Sequence, residues 1–163
     1  MKPIIGIVGR SDKQMDEHDV ICCFESVRKS ISVCGGIPLL ILPNQNVNYE
    51  SSLVKDIPKL TDEQKDDLAR VIDLCDGIVM PGSHKLFEHD CFIYEYAKEK
   101  NKPILGICGG MQLMALADSN CPLVLDEAHN KQDDRYVHTV SIEKGTLLYK
   151  IVGKEGILVN SKH

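Results

Sequence analysis

The fold is decided by Lys102-Pro103-Ile104-Leu105-Gly106-Ile107-Cys108-Gly109-Gly110-Met111-Gln112-Leu113-Met114. Its apolar first half has the length of a buried strand, and from Met111 onwards apolar residues recur at helical spacing. Gly-x-Cys-x-Gly between a strand and a helix predicts a tight turn that presents the cysteine, as Gly-x-Ser-x-Gly presents a serine. The helix dipole and free N–H groups there favour the thiolate, so Cys108 is a candidate nucleophile. The alternative is a buried structural cysteine before a glycine-rich turn.

Composition limits the classes of function. A chain of 163 residues is long enough for one domain with a sizeable core, and 43% hydrophobic with 26% charged residues is ordinary for a globular protein. The net charge of -5 and the lack of Lys/Arg clusters argue against a nucleic-acid partner. No apolar run reaches membrane-spanning length, and the N-terminus is too short and too interrupted by glycine for a signal peptide. We therefore expect no membrane partner.

The seven cysteines predict free thiols. They form no Cys-x-x-Cys pairs and no His/Cys spacing suited to zinc, and most lie inside apolar segments. This usage is typical of a reducing compartment, so we predict a cytoplasmic protein with no metal site and no cofactor. The five apart from Cys108 and Cys121 are expected to pack in the core or between helices, namely Cys22, Cys23, Cys34, Cys75 and Cys91.

Strand and helix patterns alternate along the chain. Strands are predicted at Ile4–Val8, 37–43, 78–80, 103–107, 138–142 and 156–160; helices are predicted at 20–34, 61–75, near 92–97, from 111, and within 144–152. A capping box is expected at Thr61 and Gln64. Residues 10–19, 44–60 and a stretch with His84, His89 and Asp90 are expected to be loops. The alternation predicts a parallel sheet covered on both faces, with ligands at the carboxyl ends of its strands. Cys108 and Pro81-Gly82-Ser83 both fall at that edge.

Five ordered segments resemble the class I glutamine amidotransferase superfamily, and within it the gamma-glutamyl hydrolase branch (peptidase C26, including gamma-glutamyl-GABA hydrolases). They are Lys2–Ile7, Gly35–Pro43, Asp76–Gly82, Gly106–Gln112 and Val159–His163. The resemblance implies an α/β, three-layer sandwich with a mostly parallel central sheet, flavodoxin-like. It further implies one domain over residues 1–163 that is incomplete at the C-terminus, lacking the family's final strands and helix.

The resemblance also implies an activity, the cysteine-dependent hydrolysis of a gamma-glutamyl amide or of glutamine. Cys108 would form a gamma-glutamyl thioester, and the backbone N–H groups of Gly109 and Ser83 would hold the oxyanion. The positions that match the substrate pocket of the family are Gln112, Gly82, Ser161 and His163.

Three departures from the family pattern matter. Gly109 follows the nucleophile where putrescine-pathway members usually carry arginine, which speaks against a gamma-glutamyl-GABA substrate. Ser83 stands where the family has a second glycine, and a serine would be strained there if the position required a positive φ. The His-Pro-Glu motif that carries the family's catalytic base is missing from these residues, which predicts weak or no activity. The alternative is a non-catalytic binding module that retains the glutamyl pocket. An uncovered sheet edge would also favour a homo-oligomer.

Overall fold

The structure is a computed structural model and describes residues 1–13, 18–45, 59–83, 85–119 and 138–160. The chain divides into two compact units, Met1–Pro122 and Leu123–His163. The single domain over residues 1–163 stays a prediction.

The described part of the first unit alternates strands with helices. Its elements are β1 (Ile4–Val8), β2 (Arg10–Lys13), β3 (Asp19–Cys22), α1 (Glu25–Val33), β4 (Ile37–Ile41), α2 (Asp62–Asp73), β5 (Gly77–Met80), α3 (Glu88–Glu99), β6 (Ile104–Gly106) and α4 (Gly109–Ser119). Four of the strands form a parallel sheet in the order β4-β1-β5-β6. The chain therefore starts in the middle of the sheet and reverses direction between β4 and β5, as in doubly wound flavodoxin-like folds. The predicted α/β class is confirmed.

Apolar residues cover both faces of this sheet. Neighbouring residues of a strand point to opposite faces. On β1, Ile7 packs in a cluster with Ile31 of α1, whereas Val8 belongs to the larger cluster formed with α2, α3 and α4. On β5, Val79 likewise packs in the cluster with Ile31, and Met80 belongs to the larger cluster. The helices are thus held by burial on either side of the sheet, and the carboxyl ends of the strands are left to carry a site.

The segment after β1 differs from the sequence prediction. Residues 10–19 were expected to form a loop and residues 20–34 a helix, but β2 and β3 form an antiparallel hairpin, and α1 begins only at Glu25. The apolar side chain of Val20 fits a strand of this hairpin as well as the first turn of a helix, because periodicity over so few residues does not distinguish the two. The hairpin places Arg10 directly beyond the carboxyl end of β1.

The start of α2 agrees with the sequence. The Gln64 N–H donates to Oγ1 of Thr61 at 3.2 Å, and the Thr61 N–H donates to Oε1 of Gln64 at 2.9 Å, which is the predicted capping box. The same Gln64 exchanges two hydrogen bonds with Asn44 beyond β4, where its Nε2 donates to the Asn44 carbonyl at 2.8 Å and its own carbonyl accepts from Asn44 Nδ2 at 3.1 Å. Most of the predicted connection 44–60 lies outside the described residues.

The second unit contains an antiparallel pair, β7 (His138–Ser141) and β8 (Gly156–Val159), joined through α5 (Leu147–Val152). Thr146 caps the N-terminus of α5, and Gly153 ends it with a left-handed φ of 70°. Both strands agree with the sequence prediction, and residues 144–152, for which a short helix or a turn is expected, contain α5. The predicted loop 126–135 lies outside the described residues. Among the described helices of both units, none is long and apolar enough to cross a membrane.

Candidate active site

Cys108 occupies a strained turn between β6 and α4. Its φ is 51°, a conformation that L-residues adopt at a cost of about 1–3 kcal/mol. The carbonyl of Cys108 accepts the N–H of Gln112 at 3.0 Å and so starts the helix, while the preceding Ile107 N–H donates to Met80 of β5 at 2.9 Å. The half-buried thiol is therefore held where the strand ends and the helix begins. This is the turn that the glycine spacing predicted.

Close backbone approaches explain three of the glycines at this edge. A Cβ on Gly109 would lie 2.2 Å from the carbonyl oxygen of Ser83, and one on Gly110 would lie 2.1 Å from that of Met80. A Cβ on Gly82 would lie 3.2 Å from the Cβ and 3.8 Å from the Sγ of Cys108. The end of β5 and the segment that follows it therefore lie directly against the turn that follows β6, with no room for a side chain on Gly109 or Gly110.

Ser83 is accommodated without strain. Among the described residues, the non-glycine residues with positive φ are Asn101 and Cys108, so the position does not require a glycine. The hydroxyl oxygen of Ser83 accepts the backbone N–H of Lys85 at 3.0 Å, which turns the side chain towards its own loop. A Cβ on Gly109 would also lie 3.0 Å from the backbone nitrogen of Ser83. The structure thus brings Gly109 and Ser83 together beside Cys108; their role as oxyanion donors stays a prediction.

The predicted substrate-binding residues divide into two groups. Gly82 and Gln112 belong to the described site: Gln112 lies half-buried near the N-terminus of α4, and no described group forms a hydrogen bond with its side-chain amide. Ser161 and His163 lie outside the described residues, so their placement stays a prediction.

A buried ion pair lies behind this site, and sequence reasoning did not find it. Nε and Nη2 of Arg10 donate to the carbonyl oxygen of Pro81 at 3.2 and 2.8 Å, while Nη1 donates to the Asp90 carboxylate. The other Asp90 oxygen accepts the Phe87 N–H at 2.9 Å, which satisfies an N–H at the start of α3. Arg10 follows Gly9 at the end of a buried strand, but its partners lie 71 and 80 residues away, beyond the reach of any local pattern.

His89 is a buried core residue rather than the loop residue that the sequence predicted. It lies in the first turn of α3, is 1% exposed, and stacks on Phe87 with ring centroids 5.5 Å apart. Its Nδ1 lies 3.2 Å from Oε1 of Gln45, whereas Nε2 has no hydrogen-bond partner among the described residues. Burial lowers the pKa of His89, with a smaller opposing effect from the Asp90 carboxylate. The neutral imidazole is therefore the favoured form in the fold.

Burial affects some of the other described cysteines. Burial raises the pKa of Cys75 and of Cys91, which keeps these thiols protonated and unreactive. Cys34 was expected in the core or between helices but is exposed at the end of α1, so that prediction was wrong. Within the described ranges, no group of three or more His, Cys, Asp or Glu side chains is arranged to hold a metal ion.

Parts of this chain are similar to known proteins. The family model described as peptidase C26 matches residues 87–163, a range that contains Cys108 and Gln112. The CTP synthase of Thermosipho africanus is 32% identical over 114 residues, which are 69% of this chain and 18% of that protein. For the CTP synthase of Thermotoga maritima the identity is 33% over 87 residues, 52% of this chain and 17% of that protein. The chain therefore spans less than a fifth of the length of these relatives.

Proposed function

We propose that this chain, which belongs to the class I glutamine amidotransferase-like superfamily, hydrolyses gamma-glutamyl amide bonds with Cys108 as the nucleophile. The peptidase C26 match supports a cysteine-dependent hydrolase of glutamine-type amides in general. The observation that carries the proposal is the contact of the strained Cys108 turn with the backbone of Gly82 and Ser83. A nucleophile and two neighbouring backbone segments with N–H groups are the arrangement that acyl transfer requires.

The chemistry follows from these positions. The Cys108 thiolate attacks the side-chain amide carbonyl, and the oxygen of the tetrahedral intermediate takes the negative charge. The N–H of Gly109 is available to this oxygen, because the first N–H groups of a helix have no acceptor within it. The N–H of Ser83 is the second donor. The C–N bond then breaks as the leaving nitrogen takes a proton from water, and the hydroxide so formed hydrolyses the thioester, which releases glutamate and regenerates the thiolate.

The substrate is a small molecule, glutamine or another gamma-glutamyl amide. Gln112 supports this, because its half-buried amide lies one helical turn after Cys108 and is not engaged by another described group. An amide can both donate to a carboxylate and accept from an ammonium group, the two charged groups at the amino-acid end of a glutamyl substrate.

Protonation of the leaving amine limits the rate. A cysteine hydrolase normally uses a histidine oriented by a third group for this step, and these residues contain no His-Pro-Glu segment. The recorded contacts of the buried His89 are with Gln45, Phe87 and Asp90. We therefore expect slow turnover of amides and faster reaction of substrates whose leaving group needs no proton.

The test is glutamate release by the purified chain from glutamine and from gamma-glutamyl p-nitroanilide. Cys108→Ala removes the nucleophile, and Cys34→Ala is the matched control because Cys34 is an exposed thiol at the end of α1. We expect release by the wild type and by Cys34→Ala, and none by Cys108→Ala. Equal release by Cys108→Ala would refute the proposal. Calorimetric binding of glutamine without any release would favour the binding module instead.

A further inference from the structure

Arg10 and Asp90 form a buried pair at the back of the site. Arg10 is 6% exposed and Asp90 is 0% exposed. Three of the guanidinium's nitrogens donate, two of them to the single carbonyl oxygen of Pro81. A buried ion pair seldom adds stability over apolar residues of similar volume, because the cost of removing both charges from water offsets their attraction. The pair therefore acts through its hydrogen-bond geometry rather than through a net contribution to the free energy of folding.

That geometry fixes the peptide plane between Pro81 and Gly82. The carbonyl of Pro81 and the N–H of Gly82 belong to one planar unit, so two hydrogen bonds to the oxygen also orient the N–H and the start of the next residue. Gly82 lies against Cys108, and Ser83 follows one residue later beside Gly109. By binding the Pro81 carbonyl, Arg10 thus fixes the direction in which the chain enters Gly82 and Ser83, the residues that lie beside Cys108 and Gly109.

Asp90 in turn fixes Arg10. Its first oxygen accepts from Nη1, and its second accepts the Phe87 N–H at 2.9 Å, so the carboxylate is held rigidly to the first turn of α3. The planar guanidinium, anchored on one side by a carboxylate, can present Nε and Nη2 together in a single direction. A lysine ammonium in the same place is a point charge and cannot maintain both contacts with comparable geometry.

We propose that Arg10 and Asp90 are positioning residues that hold Pro81-Gly82-Ser83 so that the Ser83 N–H points at the oxyanion formed on Cys108. The inference rests on the proposed function for the role of Cys108, and its test uses no gamma-glutamyl substrate. Neither residue touches the reacting atoms; the effect passes through the Pro81 peptide.

Two reactions of the Cys108 thiolate distinguish a loss of oriented oxyanion donors from a general change in the reactivity of the thiol. Acylation of Cys108 by p-nitrophenyl acetate forms a C–S bond through a tetrahedral oxyanion and releases p-nitrophenolate. Alkylation by iodoacetamide forms a C–S bond and releases iodide without any oxyanion. The ratio of the two rates, read by mass spectrometry of the Cys108 peptide, therefore reports the oxyanion donors, whereas changes in thiol accessibility or ionisation affect both reactions.

Three variants make the test. The double variant Arg10→Met/Asp90→Asn removes both charges and the donors to Pro81, while the asparagine oxygen can still accept the Phe87 N–H. Arg10→Lys keeps the positive charge but lacks the planar guanidinium that donates two hydrogen bonds to Pro81. The matched control is Lys98→Met/Asp118→Asn, which likewise removes both charges, at an ion pair between α3 and α4 whose atoms lie 2.6 Å apart and whose side chains are about half exposed.

We expect the ratio of acylation to alkylation to fall about tenfold in the double variant, less than the 10²–10³ caused by deleting an oxyanion donor outright. Arg10→Lys is expected to lie between this value and the wild type, and the control to match the wild type. An unchanged ratio, or an equal fall in both reactions, would overturn the inference. If the double variant does not fold by circular dichroism, the Arg10→Lys ratio decides in the same way. Absence of glutamate release by the wild type, with the ratios as expected, would refute gamma-glutamyl hydrolysis and leave the positioning role intact.

Discussion

Gly109→Ala tests the contact between the two turns at the carboxyl edge of the sheet. The added methyl group would lie 2.2 Å from the carbonyl oxygen and 3.0 Å from the nitrogen of Ser83. Both atoms belong to the backbone, so no rotation of a side chain can make room. The Ser83 segment has to move away from Gly109, and with it the N–H that we propose as an oxyanion donor.

The size of the effect follows from the distance. An ordinary carbon–oxygen contact is about 3.5 Å, so the Ser83 carbonyl has to shift by roughly 1 Å. A misplacement of that size costs about 10² in rate when it affects a catalytic group. Overpacking costs about 1–3 kcal/mol of folding free energy, and the better helix propensity of alanine returns about 1 kcal/mol at most. We therefore expect Gly109→Ala to be destabilised by about 1–2 kcal/mol and to acylate about 10²-fold more slowly.

The assay combines urea denaturation with acylation of Cys108 by p-nitrophenyl acetate. Gly156→Ala is the matched control, because its methyl group would meet the side-chain atom Thr139 Cγ2 at 3.3 Å and the nearest backbone atom, the Val140 carbonyl oxygen, only at an ordinary contact distance of 3.9 Å. The control is expected to acylate at the wild-type rate. Acylation by Gly109→Ala within about twofold of the wild type, with unchanged stability, would refute the reasoning, because Ser83 could then not lie against this glycine.

Three further variants test the strained turn, the buried histidine and the helix cap. The free energy of unfolding of Cys108→Gly is expected to exceed that of Cys108→Ala by about 0.5–1 kcal/mol, because only glycine adopts the φ of 51° without strain. Equal free energies of unfolding in urea denaturation would contradict the strain at this residue. Burial lowers the pKa of His89, so the unfolded chain binds the proton more readily. The free energy of unfolding is therefore not reduced by His89 above pH 6.5, and it falls by up to about 1.4 kcal/mol per pH unit as the pH drops from there towards the lowered pKa. His89→Gln should flatten this dependence between pH 7.5 and 5.5, and an unchanged slope would assign the loss to other groups. Thr61→Ala should cost about 1 kcal/mol of unfolding free energy, and Thr61→Ser, which keeps the capping oxygen, much less; similar losses in both would argue against the capping box.

The sequence predicts those parts of the fold whose signals are local. The strand Ile4–Val8 has the predicted bounds, because a short run of branched apolar residues ended by glycine suits a buried parallel strand. The capping box at Thr61 is a contact between residues three apart, and its two residue types carry the whole signal. The turn at Cys108 is predicted for the same reason, since the glycines that it requires are its own neighbours in sequence.

The rest depends on contacts between distant residues. A polar stretch around Arg10 gives no alternation of apolar residues, so the hairpin of β2 and β3 leaves no clear pattern. His89 and Asp90 were assigned to a loop although acidic residues in the first turn of a helix are a recognised start signal, which Glu88 and Asp90 supply here. The lack of strain at Ser83 depends on a backbone angle that residue type does not reveal.

The two hydrogen bonds between Asn44 and Gln64 make the fold insensitive to the number of residues between them. These bonds tie the exit from β4 to the entrance of α2, so the two ends of the intervening stretch meet at one place on the fold. Once the ends of a connection are held together, each doubling of its length costs only about 0.6 kcal/mol in closure entropy. Doubling the number of residues between Asn44 and Gln64 is therefore expected to lower the free energy of unfolding by only about 0.6 kcal/mol.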